Sequence, residues 1–230
     1  MIAAVLTFLG LYLVVFGGNG TYLSVYANGF MSVSSFCVLL TWNVEPLSGY
    51  SQRAALYLAV YFITGFVGGL LFGFIPFIGH LLACAYYGLL IGIQLLCLAS
   101  GGIFSTILGR QLFLIPFVIA ALLFSMYHPK HVLSALSGFS GMFIVILGID
   151  LWAQTGLFVG VAAFMTLSEV GAWQASLYVF DQPKMIMVSV SMVFGAIAGV
   201  FQYRAAIRKF GSGPKMGLEA GTIAIFTVAS

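Results

Sequence analysis

Charge is the scarcest component of this sequence. Across 230 residues there are eight Lys/Arg and five Asp/Glu, 6% of the chain. Soluble domains carry about a quarter charged residues. So few charges cannot solvate a globule of this size. That excludes a water-soluble domain, a disordered chain and a nucleic-acid binder, whose basic face needs many more cations. Cysteine is scarce too. Cys37, Cys84 and Cys97 lie in apolar runs with no CxxC spacing, so they read as small packing residues and no metal site is expected. Catalytic patterns are missing: there is no HExxH, no Ser/His/Asp arrangement with supporting context and no pair of intramembrane aspartates. Glycine-rich segments fall in apolar runs, which excludes phosphate loops. The expectation is a chain that is not an enzyme and holds no cofactor.

What the chain has in abundance is hydrocarbon. It is 62% hydrophobic, with a mean hydropathy of +1.16, 28 Gly and 22 Phe. The fold class expected is an all-α integral membrane protein, a bundle of about seven transmembrane helices. Apolar runs broken by polar or Gly/Pro punctuation place the spans at 2–16, 22–41, 54–74, 77–99, 111–127, 132–152 and 185–203. The first run lacks a basic n-region and reads as a retained span. The alternative is a signal peptide cut near Gly17-Gly18. Pro76 is taken to close the third span, and His128-Pro129-Lys130-His131 to form a solvated polar turn behind the fifth. Ser100-Gly101-Gly102 opens a loop reaching Arg110. Residues 206–230 form a basic C-terminal tail.

The stretch 153–184 fits no span. Its apolar part, Thr155 to Leu167, has 13 residues, too few for a hydrocarbon core about 30 Å thick. Lengthening it carries Glu169 inward at a cost of roughly 2.5–3.5 kcal/mol. Trp173, Tyr178 and Phe180 suit a membrane interface. A loop with a partly buried or interfacial helix is expected, the alternative being an eighth span.

Seven spans put Lys130, Arg204, Arg208, Lys209 and Lys215 on one side. Arg53, Arg110 and Lys184 fall on the other with Glu45, Asp150, Glu169 and Asp181. The cluster at the last span's end predicts a cytosolic C-terminus and an external N-terminus. The membrane, plasma or internal, does not follow. Asn19-Gly20-Thr21 fits the glycosylation pattern but falls on the predicted cytosolic side, so it reads as an accidental sequon in a turn.

Small residues recur at helical spacing. Gly65, Gly69 and Gly73 share a face in the third span, Gly88 and Gly92 in the fourth, Gly138 and Gly141 with Ser134 and Ser137 in the sixth, and Gly195 and Gly199 in the last. Such GxxxG-type faces let helices approach closely where lipid gives no hydrophobic drive. They serve contacts within one bundle or between chains. Ionisable and polar groups inside spans reduce to His80, Gln94 and Asp150. His80 reads as interfacial, Gln94 as interhelical glue, and Asp150 as a helix cap or a rim partner of a basic residue.

Several segments together resemble the transmembrane protein 198 / seven-transmembrane-member-3 family. They are Leu9 to Gly17, ending in a Phe-Gly turn; the run Gly65 to Gly73; Ser137 to Gly141 continuing into Leu147-Gly148-Ile149-Asp150-Leu151-Trp152-Ala153-Gln154-Thr155-Gly156; and the basic exit Gln202-Tyr203-Arg204. The resemblance covers about residues 5 to 205. One departure is Gly18-Asn19-Gly20, where family members often carry basic residues. The resemblance implies a seven-span membrane protein with no established enzymatic activity and no catalytic residues to transfer.

Low intramembrane charge, small-residue faces and short loops lead to the first functional expectation: a multi-pass scaffold or accessory subunit of a membrane complex. Its partners would be the lipid bilayer and other membrane proteins or a second copy of itself, with no nucleic acid. The alternative is a transporter or channel for a small solute, with Gln94 and Pro116 as the local candidates for a polar path or broken helix.

Overall fold

Apolar runs of this length fold as helices because lipid offers no partner to a backbone N–H or C=O, and a helix satisfies both internally. The computed structural model describes residues 2–18, 21–45, 50, 52–104, 106–166, 175 and 177–210. Its helices are α1 (Ile2–Phe16), α2 (Tyr22–Asn43), α3 (Arg53–Phe74), α4 (Pro76–Leu96), α5 (Ile107–Tyr127), α6 (Pro129–Ala153), α7 (Leu157–Met165) and α8 (Gln182–Phe210). No strand occurs among the described residues. Six helices, α2 to α6 and α8, are long and apolar enough to cross a membrane. The 15-residue α1 is shorter, but it lies antiparallel along α6, from Thr7 beside Gly148 to Gly17 beside Ser137. It thus follows α6 over most of its length as the seventh member of the bundle.

Several boundaries differ from the sequence expectation, each for a local reason. Pro76 and Pro129 do not close helices. Each sits in the first turn of the next helix, where its missing N–H costs nothing, so single residues, Ile75 and His128, join α3 to α4 and α5 to α6. The 128–131 segment is therefore a helix start rather than a turn, and His131 is buried. α5 begins at Ile107, where the Thr106 side chain accepts a hydrogen bond from the Gly109 N–H, so Arg110 lies in a helix and not in a loop. α8 runs on to Phe210, which makes the first five residues of the expected 206–230 tail helical. Residues 211–230, Asn19 and Gly20 of the sequon, and Glu169 and Trp173 lie outside the described residues. The 153–184 stretch contains the nine-residue α7, about 13 Å long.

α6 is the axis of the bundle, with 67% of its apolar stretch buried. α1 and α8 flank it, α4 packs behind it, and α5 covers α4. The α2–α3 hairpin is held mainly by its own two helices and leans on α4. Two ends result. At the joint end lie Gly17-Gly18, Ile75, His128 and the C-terminal turn of α8. At the loop end lie the C-terminal ends of α2, α4 and α6, the starts of α3, α5 and α8, α7, and Tyr178 to Asp181. Large apolar side chains such as Phe8, Ile63, Phe74, Leu108 and Phe201 face outward, where lipid is their solvent.

Candidate functional site: a polar seam through the bundle

Close helix approach comes first, because it brings the polar side chains together. A Cβ on Gly138 would meet the Ala198 backbone at 3.0 Å; one on Gly199 would meet the Ala135 carbonyl at 2.9 Å; one on Gly195 would meet the Phe139 carbonyl at 2.8 Å. These three glycines set the α6–α8 contact. Gly141 faces α1 in the same way through Val14 and Gly10. Gly88 and Gly92 receive α5 through Phe117, Ala121 and Leu114. In α3, Gly65 and Gly69 lie under the rings of Phe30 and Tyr26, whereas Gly73 has nothing within 4 Å of its Cβ position. The α3 face therefore packs through Gly65 and Gly69, and Gly73 is left at the surface. The pattern reading omitted Gly10, Gly17 and Gly18 of α1, though the seven-residue spacing of Gly10 and Gly17 marks one face.

At the joint end, Gln202 of α8 ties three elements. Its Nε2 donates to the carbonyls of Leu13, at 2.6 Å, and Val14. Its Oε1 accepts from the Gly18 N–H at 2.9 Å and the Ser137 hydroxyl at 3.2 Å. The Gly17 carbonyl accepts from Ser24 Oγ at 2.5 Å and Asn28 Nδ2 at 3.0 Å. Asn28 Oδ1 in turn accepts from the Tyr87 hydroxyl. Ser140 Oγ donates to the Tyr87 carbonyl at 3.4 Å. This chain joins α1, α2, α4, α6 and α8. It gives α1 the carbonyl partners that its C-terminal turn needs. Asn28, Tyr87 and Ser140 went unnoticed in the sequence; the four-residue spacing of Ser24, Asn28 and Ser32 on α2 is the signal that marks this face.

Deeper toward the loop end, Gln94 Nε2 donates to Ser191 Oγ at 2.6 Å, gluing α4 to α8. Its Oε1 is buried with no hydrogen-bond partner. His80 is half-buried in the first turn of α4, at the joint end, with Nδ1 2.6 Å from the Pro76 carbonyl.

Asp150 is 2% exposed, near the end of α6. Gln154 and Gly156 adopt left-handed backbone conformations (φ 55° and 87°) that turn the chain back on itself. For Gly156 the absent Cβ makes that conformation cheap. The turn aims the α7 N-terminus at the carboxylate. Asp150 Oδ2 accepts from the Phe158 N–H at 2.7 Å, and Oδ1 accepts from the Thr155 hydroxyl. A carboxylate against orphan N–H groups and a positive helix end is a favourable pairing. Asp150 thus caps the helix that follows its own. α7 is then enclosed: Leu157, Gly160, Val161 and Phe164 are buried, and the Tyr178 ring lies over Gly160 and Phe164.

Around this cap the loop end is knitted by Tyr178. Its hydroxyl donates to the Cys97 carbonyl at 3.0 Å, and its own carbonyl accepts from the Gly101 N–H at 2.7 Å. Burial pushes the Tyr178 phenol above its ordinary value. Lys184 bonds Asp181 at 2.9 Å and holds that exposed carboxyl below the usual range. Arg53 pairs with Glu45 at 2.9 Å between the rings of Trp42 and Tyr57. Arg110 is 2% exposed, with its guanidinium 6.0 Å from the Phe164 ring and Nη1 lacking a hydrogen-bond partner.

Chemically the seam is structural glue. No group of three or more His, Cys, Asp or Glu gathers among the described residues. All three cysteines are free thiols. A crevice lies elsewhere, between α1 and the α2–α3 hairpin. It measures about 540 Å³ and is walled by Phe8, Tyr12, Leu23, Tyr26, Phe30 and Phe62. Apart from the tyrosines its walls are hydrocarbon.

Neither a curated protein nor a solved structure gave a significant match to this chain. The family model described as TM7S3/TM198-like domain matches residues 3–203, from the second residue of α1 to two turns before the end of α8. That match spans all the membrane helices, and with their apolar character it makes the chain a multi-pass integral membrane protein of the TM7S3/TM198-like family.

Proposed function

We propose that this protein is a multi-pass scaffold, an accessory subunit that holds a membrane complex together and performs no chemistry itself. The observation that carries the reading is how the seam's polar groups are used. Gln202, Ser137, Ser24, Asn28, Tyr87 and Ser140 are spent on one another and on the backbone of neighbouring helices. A solute pathway needs such groups turned toward water. Here they fasten five helices into one rigid body, which is what a scaffold requires. The basic joint end supports a cytosolic C-terminus, since cations cluster at the cytoplasmic ends of spans.

The test is purification in mild detergent, with native mass spectrometry for partners and a water-soluble thiol reagent against a Ser191→Cys variant. A scaffold gives stoichiometric membrane partners and a thiol that resists labelling. A solitary chain with rapid labelling at residue 191 overturns the reading. A transporter of a small solute is the second reading, favoured by two of the three buried side-chain atoms without a hydrogen-bond partner among the described residues, Gln94 Oε1 and Arg110 Nη1. Pro116 inside α5 adds a helix interruption to that reading.

A further inference from the structure

The two ends of the bundle treat their charges differently. At the loop end, Arg53 and Lys184 are each bonded to an acid, Glu45 and Asp181. Asp150 is absorbed by the start of α7. All three described acids lie at that end. The joint end carries Lys130, Arg204, Arg208 and Lys209 and, among the described residues, no Asp or Glu. Among the described residues no ion pair joins Lys130, Arg204 or Arg208 to a carboxylate. All three are exposed.

These cations stand on two helices at one end of the bundle, Arg204 and Arg208 on the side of α8 turned away from its buried positions Gln202 and Ala206. Lys130 is the second residue of α6, and its Nζ lies 4.6 Å from the ring centre of Phe210, the last residue of α8. Lys209 Nζ lies 5.5 Å from the same ring. The aromatic ring draws the start of α6 and the end of α8 together. Arg204 and Arg208, four residues apart, share a face of α8 just below. α6 also begins with no capping side chain and no acid in its first turn, so its positive end adds to the field. The spans end at this level, where lipid headgroups lie.

We propose that the joint end is a binding surface for anionic phospholipid headgroups, a basic rim formed by Lys130 of α6 and by Arg204 and Arg208 on the outward face of α8. The phosphodiester and any further acidic group of the lipid supply the negative charge that the described residues of this end do not, and the acyl chains lie along the apolar flanks of α6 and α8. The complementarity selects phosphatidylserine- or phosphatidylglycerol-type lipids over zwitterionic ones.

The experiment places purified protein in nanodiscs of phosphatidylcholine mixed with phosphatidylglycerol and reads the lipids retained after detergent extraction by native mass spectrometry. The wild type is expected to keep phosphatidylglycerol preferentially. Each of K130Q, R204Q and R208Q should lower that preference about fivefold, and the triple variant on the order of a hundredfold. The charge-conserving triple K130R/R204K/R208K should retain it, which separates lost charge from lost fold. Raising salt should weaken it, as expected for a surface field. Equal retention of both lipids by the wild type overturns the proposal. So does an undiminished preference in the glutamine triple, or displacement of the lipid by inorganic phosphate at equal concentration, which would mark a site for free phosphate.

Discussion

Replacing Gly10 by alanine should destabilise the protein, and the same change at Gly73 should not. Alanine is the better helix former by about 1 kcal/mol, a gain available at both sites. Packing decides the sign. At Gly10 the new methyl would sit 2.8 Å from Val145 Cγ2, 2.8 Å from the Val145 backbone nitrogen and 2.9 Å from the Gly141 carbonyl oxygen. Favourable contact between such atoms lies near 3.5–4.0 Å. Two of the three neighbours are backbone and cannot rotate aside, so α1 must retreat by about half an ångström or more. That retreat loosens the neighbouring approaches of Gly17 to Ser137 and Gly148 to Thr7. Overpacking of this kind costs about 1–3 kcal/mol, and the rigid neighbours place Gly10 at the upper end. The net loss is about 2 kcal/mol, or about 4–8 °C in the apparent midpoint for a chain of this size. At Gly73 the methyl meets nothing within 4 Å, so up to about 1 kcal/mol of stabilisation remains. The assay is thermal unfolding of both variants in one detergent at one scan rate. A Gly10→Ala midpoint equal to the wild type, or a larger loss from Gly73→Ala than from Gly10→Ala, refutes the packing argument.

Gln202→Leu removes the acceptor of the Gly18 N–H and the donors to Leu13 and Val14. A cost of about 1–3 kcal/mol follows from the orphaned backbone groups. Faster hydrogen exchange at the Gly18 amide is the local readout, and unchanged protection there counts against the seam as a fastening. Asp150→Ala leaves the Phe158 N–H and the Thr155 hydroxyl without their acceptor in a buried site, again about 1–3 kcal/mol. Asp150→Asn keeps an acceptor oxygen and should lose less; melting midpoints for the pair test this, and equal losses would deny the cap its role.

The helices were legible because lipid leaves long apolar runs one solution, and the runs that end at Phe16, Phe74 and Tyr127 are sharply punctuated. Direction was harder to read. Pro76 and Pro129 each look like a stop, yet proline is as suited to opening a helix as to ending one. Only the backbone distinguishes a stop followed by a loop from a one-residue joint. The glycine spacing marks faces, but spacing is blind to what lies opposite. Gly65, Gly69 and Gly73 are alike in sequence, and only the first two meet another helix. The polar seam was least legible. Asn28 and Tyr87 are 59 residues apart and Gln202 and Gly18 are 184 apart, so no local pattern links them. Asp150 was visible as a helix-end residue. That it serves the next helix depends on the left-handed turn at Gln154 and Gly156, which spacing does not reveal.

The single residues Ile75 and His128 have a bearing on how the chain enters its membrane. Connections between helices usually take about 2–8 residues. With only one, the second helix of each hairpin cannot lie far from the first once the first is seated. α3 with α4, and α5 with α6, must therefore be released into the bilayer as paired units rather than one helix at a time. An epitope spliced beside Ile75 or His128 would split a unit that biogenesis handles whole, whereas the 97–106 connection already separates two such units.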